Sequence, residues 1–329
     1  MSPAHDFADR SAERRFDEPR EHVPDQAGDD RPGRLRVGVV GVGRVGAVLA
    51  AALAGAGHRV VAVSGVSDAS RSRAEAMLPG AVLVTPPEVL GAADLVLLTV
   101  PDDALADLVA GLAATGAVRP GQLLAHTSGR FGISVLDPAT RLGALPLALH
   151  PAMTFTGTSL DLGRLHGAAF GVTAPDPLRP VAEALVVEMG SEPVWVQEAA
   201  RPLYHAALAH GSNHLVTLVA QSMELLRDAG VGEPARLLGP LLTATLDNVL
   251  RVGDGALTGP VARGDAGTVA QHVAAIGAVS GEILATYRAL ARSTADRALA
   301  DRRLHPADAE ALLGALSGPL DPPGRRDPG

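Results

Sequence analysis

The sequence predicts an α/β protein in two parts: a doubly wound parallel sheet, then an all-α domain. Three observations carry that expectation. From residue 35 to about 196, short apolar runs alternate with helical stretches, as strands buried on both faces do when crossover helices join them. A glycine-rich loop links the first run to the first helix. Beyond Gln197 only helical periodicity remains.

Taken in order, residues 35–40 are a short apolar run ending at glycine, and 44–55 a helix of small residues. Residues 59–63 are a second, valine-rich strand. Residues 81–84 make a short third strand and 94–100 a fourth, stopped by Pro101, which has no amide for a ladder. A helix at 103–114 follows, then strands at 122–127, 145–150, 168–173 and 193–196, with a helix at 178–189 before the last. Helices at 203–227, 234–250, 268–291 and 306–316 complete the chain, and the boundary between the two parts falls near 198–202. The domain expectation is therefore a disordered tail over 1–33, a nucleotide-binding domain over 34–198, an all-α domain over 199–318 and a flexible tail over 319–329. Charges with Pro3, Pro19, Pro24 and Pro32 mark the first tail, and Pro322-Pro323-Gly324 the last.

Composition excludes several classes. The net charge of −8 argues against nucleic acid as a partner, because phosphate neutralisation needs a concentrated basic surface. Aromatic residues are only 2%, too few for base-stacking platforms. No apolar run reaches the roughly 18 residues of a membrane span, and no secretory h-region is present, so a cytoplasmic protein is expected. With no cysteine there are no disulfides, thiolate metal sites or thiol nucleophiles. All 28 basic residues are arginine, which removes Schiff-base chemistry and any lysine acid. Protons must move through His, Asp, Glu, Tyr or water.

Gly41-Val42-Gly43-Arg44-Val45-Gly46 fits G-x-G-x-x-G between a buried strand and a helix, the context that makes it a Rossmann dinucleotide fingerprint. The helix N-terminus supplies free amides and a dipole for a pyrophosphate. At the end of the second strand an NAD site carries a carboxylate. Here Ser64, Gly65, Val66 and Ser67 precede Arg71 and Arg73, a set suited to a 2′-phosphate, so NADP(H) is the expected cofactor despite nearby Asp68. Ser64, Val100-Pro101, Ser128 in His126-Thr127-Ser128-Gly129, and His150 all fall at strand ends, where an open α/β sheet binds ligands. Each could equally be a cap or turn residue.

On the first helix of the α domain, His205, Ser212 and Asn213 share one face, with His210 and His214 opposite. The i, i+4 histidine pair has no third ligand beside it, and no metal is expected. His205 could protonate a carbonyl oxygen as hydride reaches its carbon, or be a satisfied interface residue. Arg263, in Gly259-Pro260-Val261-Ala262-Arg263-Gly264-Asp265, offers a fork for a carboxylate. Asp265 could orient it or cap the next helix.

These motifs together resemble the 6-phosphogluconate dehydrogenase-like superfamily over residues 35–317. More narrowly, His150-Pro151-Ala152-Met153-Thr154-Phe155, Tyr204-His205-Ala206-Ala207 with Ser212-Asn213, and the Gly259–Asp265 segment are similar to a family of Rossmann-like oxidoreductases that includes alternative ketopantoate reductases. The superfamily commonly places a lysine on this helix. The chain has none, and His205 is the natural occupant of that role, which sets aside the ordinary ketopantoate reductase type. The resemblance implies an NADP-dependent reductase of a small carboxylate-bearing carbonyl compound, ketopantoate first, acting as a homodimer built on the α domain. His205 and Asn213 would be catalytic, and Ser128, His150, Ser212, Arg263 and Asp265 would hold substrate. Gly41 to Gly46, Ser64, Ser67, Arg71, Val100 and Pro101 would hold cofactor. The alternatives are an imine or 3-hydroxyacid oxidoreductase on the same scaffold, and a non-catalytic NADP-binding sensor.

Overall fold

The computed structural model describes residues 33–317. The tails expected over 1–33 and 319–329 lie, Gly33 aside, outside the described residues. The chain divides into two compact units, Met1–Arg201 and Pro202–Gly329.

The first unit is built on one eight-stranded sheet of order β3-β2-β1-β4-β5-β6-β7-β8. Its strands are β1 (Arg36–Val40), β2 (Arg59–Ser64), β3 (Val82–Leu83), β4 (Leu95–Leu98), β5 (Leu123–His126), β6 (Leu145–Pro151), β7 (Ala169–Thr173) and β8 (Glu192–Trp195). The central strands are buried throughout, which is why they read as continuous apolar runs rather than alternating ones. One face is covered by α1 (Arg44–Gly55) and α7 (Arg179–Glu188), whose Leu49, Leu53 and Leu185 pack on Val37, Val39 and Leu147. The opposite face is covered by α3 (Pro86–Ala92) and α4 (Asp102–Ala114), through Leu90, Leu105 and Val109. The order reverses between β1 and β4, so the crevice of this sheet opens outside their carboxyl ends.

Three features depart from expectation. The sheet is not wholly parallel, because β7 runs antiparallel to β6 and parallel to β8. Apolar content reports burial and is blind to strand direction. Two helices have no apolar period to announce them: α2 (Asp68–Met77), whose one buried residue is Ala74, and α3, which is set by local capping. Thr85 and Glu88 form a capping box at its start, with Pro86 in the first turn. Finally, the single helix expected over 268–291 is two helices, α11 (Ala266–Val279) and α12 (Gly281–Ala300). Ser280 breaks them in extended conformation, and its hydroxyl accepts from the Ile283 amide at 3.2 Å.

Two short helices, α5 (Asp137–Thr140) and α6 (Leu160–Leu165), complete the first unit. The remaining helices are α8 (Arg201–Asp228), α9 (Pro234–Val252), α10 (Gly259–Ala262) and α13 (Pro306–Ala315). Helices α10 to α13 enclose a compact aliphatic core that includes Val269, Ala291, Ala295, Ala298 and Leu312. By contrast α8 and α9 leave Leu203, Val216, Leu237, Leu241 and Leu250 exposed.

Candidate functional site

The crevice is assembled from the glycine loop upward. Gly41 sits at φ +92°, and a Cβ there would meet the Val100 side chain at 2.9 Å and the Thr99 carbonyl at 3.0 Å. The amides of Gly41 and Val42 donate to the Ser64 carbonyl at 3.1 and 2.8 Å, tying the loop to the end of β2. The Thr99 hydroxyl donates to the Gly41 carbonyl at 2.7 Å, tying it to β4. Val42 is fully buried, so it anchors the loop rather than facing a ligand. A Cβ on Gly46 would strike the Thr99 hydroxyl, and that position needs glycine for helix–strand packing. With Gly43 as N-cap, the first-turn amides of Arg44, Val45 and Gly46 have no intrahelical acceptor. They and the dipole of a twelve-residue helix make an anion cradle.

Beside the cradle lies a groove of about 780 Å³, lined by Gly41, Ser64, Gly65, Arg71, Thr85, Glu88 and Val100 among others. Arg71 lines this groove, and no carboxylate pairs with it among the described residues. Ser64 is nearly buried, with its carbonyl given to the loop. Ser67 does not line the groove: it is the N-cap of α2, accepting from the Ser70 amide at 3.2 Å. Pro101 is exposed at the start of α4. The negative residue in the groove, Glu88, is occupied by the Thr85 hydroxyl and amide, which hold its carboxyl below the usual range.

Ser128 and His126 are tied into the loop after β5 by hydrogen bonds. His126 is fully buried at the end of β5. One ring nitrogen, Nδ1, accepts from the Ser128 amide at 3.2 Å, so Nε2 carries the proton and donates to the Gly132 carbonyl at 2.8 Å. Burial pushes its pKa down to about 4, against the pull of the Gly132 carbonyl and with help from Arg201. The Ser128 hydroxyl accepts from the Phe131 amide at 3.3 Å. His150 lies near the end of β6, half-buried, where it pairs in register with Gly171.

The buried Arg201 escaped the sequence reading, because an arginine opening a helix looks like a solvated charge. Its guanidinium donates to the Thr173 hydroxyl at 2.9 Å and to the carbonyls of Ser128, Ala148 and Gly171 at 3.3, 3.1 and 3.0 Å. It therefore stitches the β5 loop, β6 and β7 together. Glu198 does similar work nearby, accepting from the Ile133 and Ser134 amides at 2.7 and 3.1 Å.

In the second unit, His205 is half-buried on α8, and Ser212 and Asn213 are exposed. His205 and Asn213 share a face, yet eight helical residues separate them by about 12 Å of rise, so they cannot grip the same atom. His210 and His214 are hydrogen-bonded to each other through their Nδ1 atoms at 2.9 Å. Asp265 proves to be the N-cap of α11: it accepts from the Thr268 amide at 3.0 Å and hydroxyl at 2.7 Å, which hold its pKa down. Arg263 is exposed beside it. Among the described residues no cluster of three or more His, Asp or Glu could hold a metal ion, and no helix is long and apolar enough to cross a membrane.

Fold and crevice together define a Rossmann-type nucleotide-binding architecture joined to a helical domain. Two family models agree with that division in outline. A Rossmann-like domain matches residues 21–151, and DUF2520, a domain of unknown function, matches residues 168–294. The second model begins at β7, so it takes in the last two strands of the sheet. No curated protein matches the chain. Among solved structures, a candidate NADP oxidoreductase from Bacteroides fragilis superposes with a TM-score of 0.66 at 23% identity, covering 80% of this chain and 98% of its own. A reductive aminase from Aspergillus terreus, in complex with NADPH4, cyclohexanone and allyl amine, gives 0.59 at 20%, covering 85% and 99%. An imine reductase from Pseudomonas sp. gives 0.54 at 20%, covering 86% and 92%. At these identities the likeness is one of fold.

Proposed function

We propose that the chain is an NADP(H)-dependent reductase of a small carboxylate-bearing carbonyl compound, with ketopantoate as the first substrate to test. The observation that carries this reading is the crevice at the β1–β4 reversal, where the first-turn amides of α1 adjoin a groove lined by Ser64 at the end of β2 and Arg71 on α2. The residues present fit such a dinucleotide: the amides of Arg44 to Gly46 would hold its pyrophosphate, and Arg71 its 2′-phosphate. The bound nicotinamide supplies the hydride.

The chain's own residues supply the rest. His205 donates the proton to the substrate oxygen, since the chain lacks lysine and an imidazole can act as a general acid. Arg263 grips the carboxylate through its planar fork. Asn213 and Ser212, two turns along α8 from His205, hold a more distant part of the substrate. A second copy of this chain covers α8 and α9: apolar side chains exposed along two long helices exceed what a soluble monomer normally leaves in water, and a two-fold axis lets each copy cover the other's.

Imine reduction is the second reading, favoured by the fold shared with the imine reductase and the reductive aminase. One experiment separates the two. NADPH oxidation by purified protein is followed with ketopantoate and, in parallel, with cyclohexanone plus allyl amine, for wild type and His205→Ala. Turnover of ketopantoate that falls by about a hundredfold or more in the variant supports the first reading. Turnover only with the ketone–amine pair moves the assignment to imines, and NADPH binding with neither activity points to a sensor.

A further inference from the structure

The helical unit holds a cavity that the proposed chemistry leaves without a task. On α12 the spacing of Ile283, Thr286, Tyr287, Leu290 and Thr294 puts all five on one stripe. On α8 Leu218, Gln221 and Leu225 share a stripe at i, i+3 and i+7. Facing helices normally interlock such stripes and leave few voids larger than a water molecule. Here the Gln221 amide donates to the Thr286 hydroxyl at 3.3 Å, and a cavity of about 310 Å³ lies between the two helices. Ile276 of α11, with Thr258 and Pro260 at the start of α10, lines it further.

The walls define what fills it. No lining residue is charged at neutral pH, and Tyr287, the one titratable group among them, stays neutral because burial raises its pKa. The Tyr287 hydroxyl and His272 Nδ1 are hydrogen-bonded at 2.9 Å, which holds the ring as a fixed wall. Ser222 and Thr286 spend their hydroxyls on the Leu218 and Glu282 carbonyls at 2.8 and 3.4 Å. Thr258 and Thr294 differ. Thr258 is the N-cap of α10 yet makes no cap bond with its side chain, and among the described residues neither hydroxyl has a protein partner. An aliphatic cavity of this size, with a fixed aromatic wall and a few convergent hydroxyls, has the character of a small-molecule pocket. An ion would be desolvated there without a counter-charge.

We infer that this cavity binds a small uncharged molecule, with an alicyclic or branched aliphatic body and a hydroxyl or carbonyl head that meets Thr294 and Thr258. Every residue that lines it belongs to the second unit, and the site does not depend on the reaction proposed for the crevice.

The sequence supplies a direct reporter. The chain has three isoleucines: Ile276 and Ile283 line the cavity, and Ile133 lies in the first unit. Methyl NMR of isoleucine-labelled wild type is followed during titration with cyclohexanol and, in a second sample, with cyclohexanecarboxylate. Cyclohexanol should move the Ile276 and Ile283 signals saturably, with a Kd of about 1 mM or tighter, and leave Ile133 in place. The carboxylate should bind about tenfold more weakly or worse, because its charge has no partner in the cavity. Thr294→Val keeps the side-chain shape, removes the hydroxyl and should weaken cyclohexanol about fivefold, with a melting curve to verify folding. Should it not fold, Thr258→Val at the exposed end of the cavity makes the same test. No saturable shift up to about 20 mM cyclohexanol, equal affinity for the carboxylate, or wild-type affinity in a folded valine variant would overturn the inference. Signals of Ile276 and Ile283 that move with protein concentration but not with cyclohexanol would also overturn it, and would give the cavity to a second copy of the chain.

Discussion

His126 shows how completely the fold can engage a histidine at a strand end. A histidine at a strand end beside the crevice is a natural acid–base candidate, yet both its ring nitrogens are engaged and burial keeps it neutral. That has a consequence for stability. Its folded pKa of about 4 lies below the ordinary value of 6.5, so the unfolded chain binds the proton first as pH falls. The contribution of neutral His126 is therefore complete above about pH 6.5 and is lost progressively down to about pH 4, at up to about 1.4 kcal/mol per pH unit. His126→Gln, which keeps a donor for the Gly132 carbonyl, should lack this slope. Melting temperatures of the two proteins across that range should converge toward pH 4, and parallel curves would show that the ring does not titrate as described. Ser128 belongs to the same network, its hydroxyl accepting from the Phe131 amide.

At the scale of elements, the helices divide by what specifies them. The burial pattern of α1 and α4 is a consequence of apolar spacing, and their ends can be read from the chain. The elements α2, α3 and the α11–α12 break depend instead on caps. Removing a cap should cost about 1 kcal/mol without altering the fold. Ser280→Ala, which deletes the acceptor for the Ile283 amide, should lower the denaturation midpoint by that amount with an unchanged denaturant slope. Loss of the break itself, with α11 and α12 fusing into the single helix that their sequence period suggests, would appear as added helical ellipticity and would contradict this account.

For the whole molecule, the question is what covers α8 and α9. Leu241 is 61% exposed and Leu250 79% exposed on a helix with apolar residues along its length. A homodimer that buries these helices predicts a two-chain mass for wild type in sedimentation at micromolar concentration, and a one-chain mass for Leu241→Arg, since a charge there would be desolvated against an apolar surface. Wild type sedimenting as a single chain would remove the dimer from the proposal without touching the crevice.

The glycine loop between β1 and α1, the bounds of α1 at Arg44–Gly55 and the absence of a carboxylate at the end of β2 can all be read from consecutive residues, because each reflects chemistry within one strand, turn or helix. The change to purely helical periodicity after Gln197 is equally local. Nothing local could show that β7 runs against β6, that Arg201 is drawn inside by carbonyls 30 to 73 residues away, or that Gly157 bonds Arg73 across 84 residues of chain. Periodicity records which side chains are buried. Which polar groups meet inside depends on how distant segments are brought together, and burial ties Ser128 and His126 into the loop after β5. The physical reason is that an unpaired polar group costs little in water but on the order of 1–3 kcal/mol once buried, so its partner is chosen by packing.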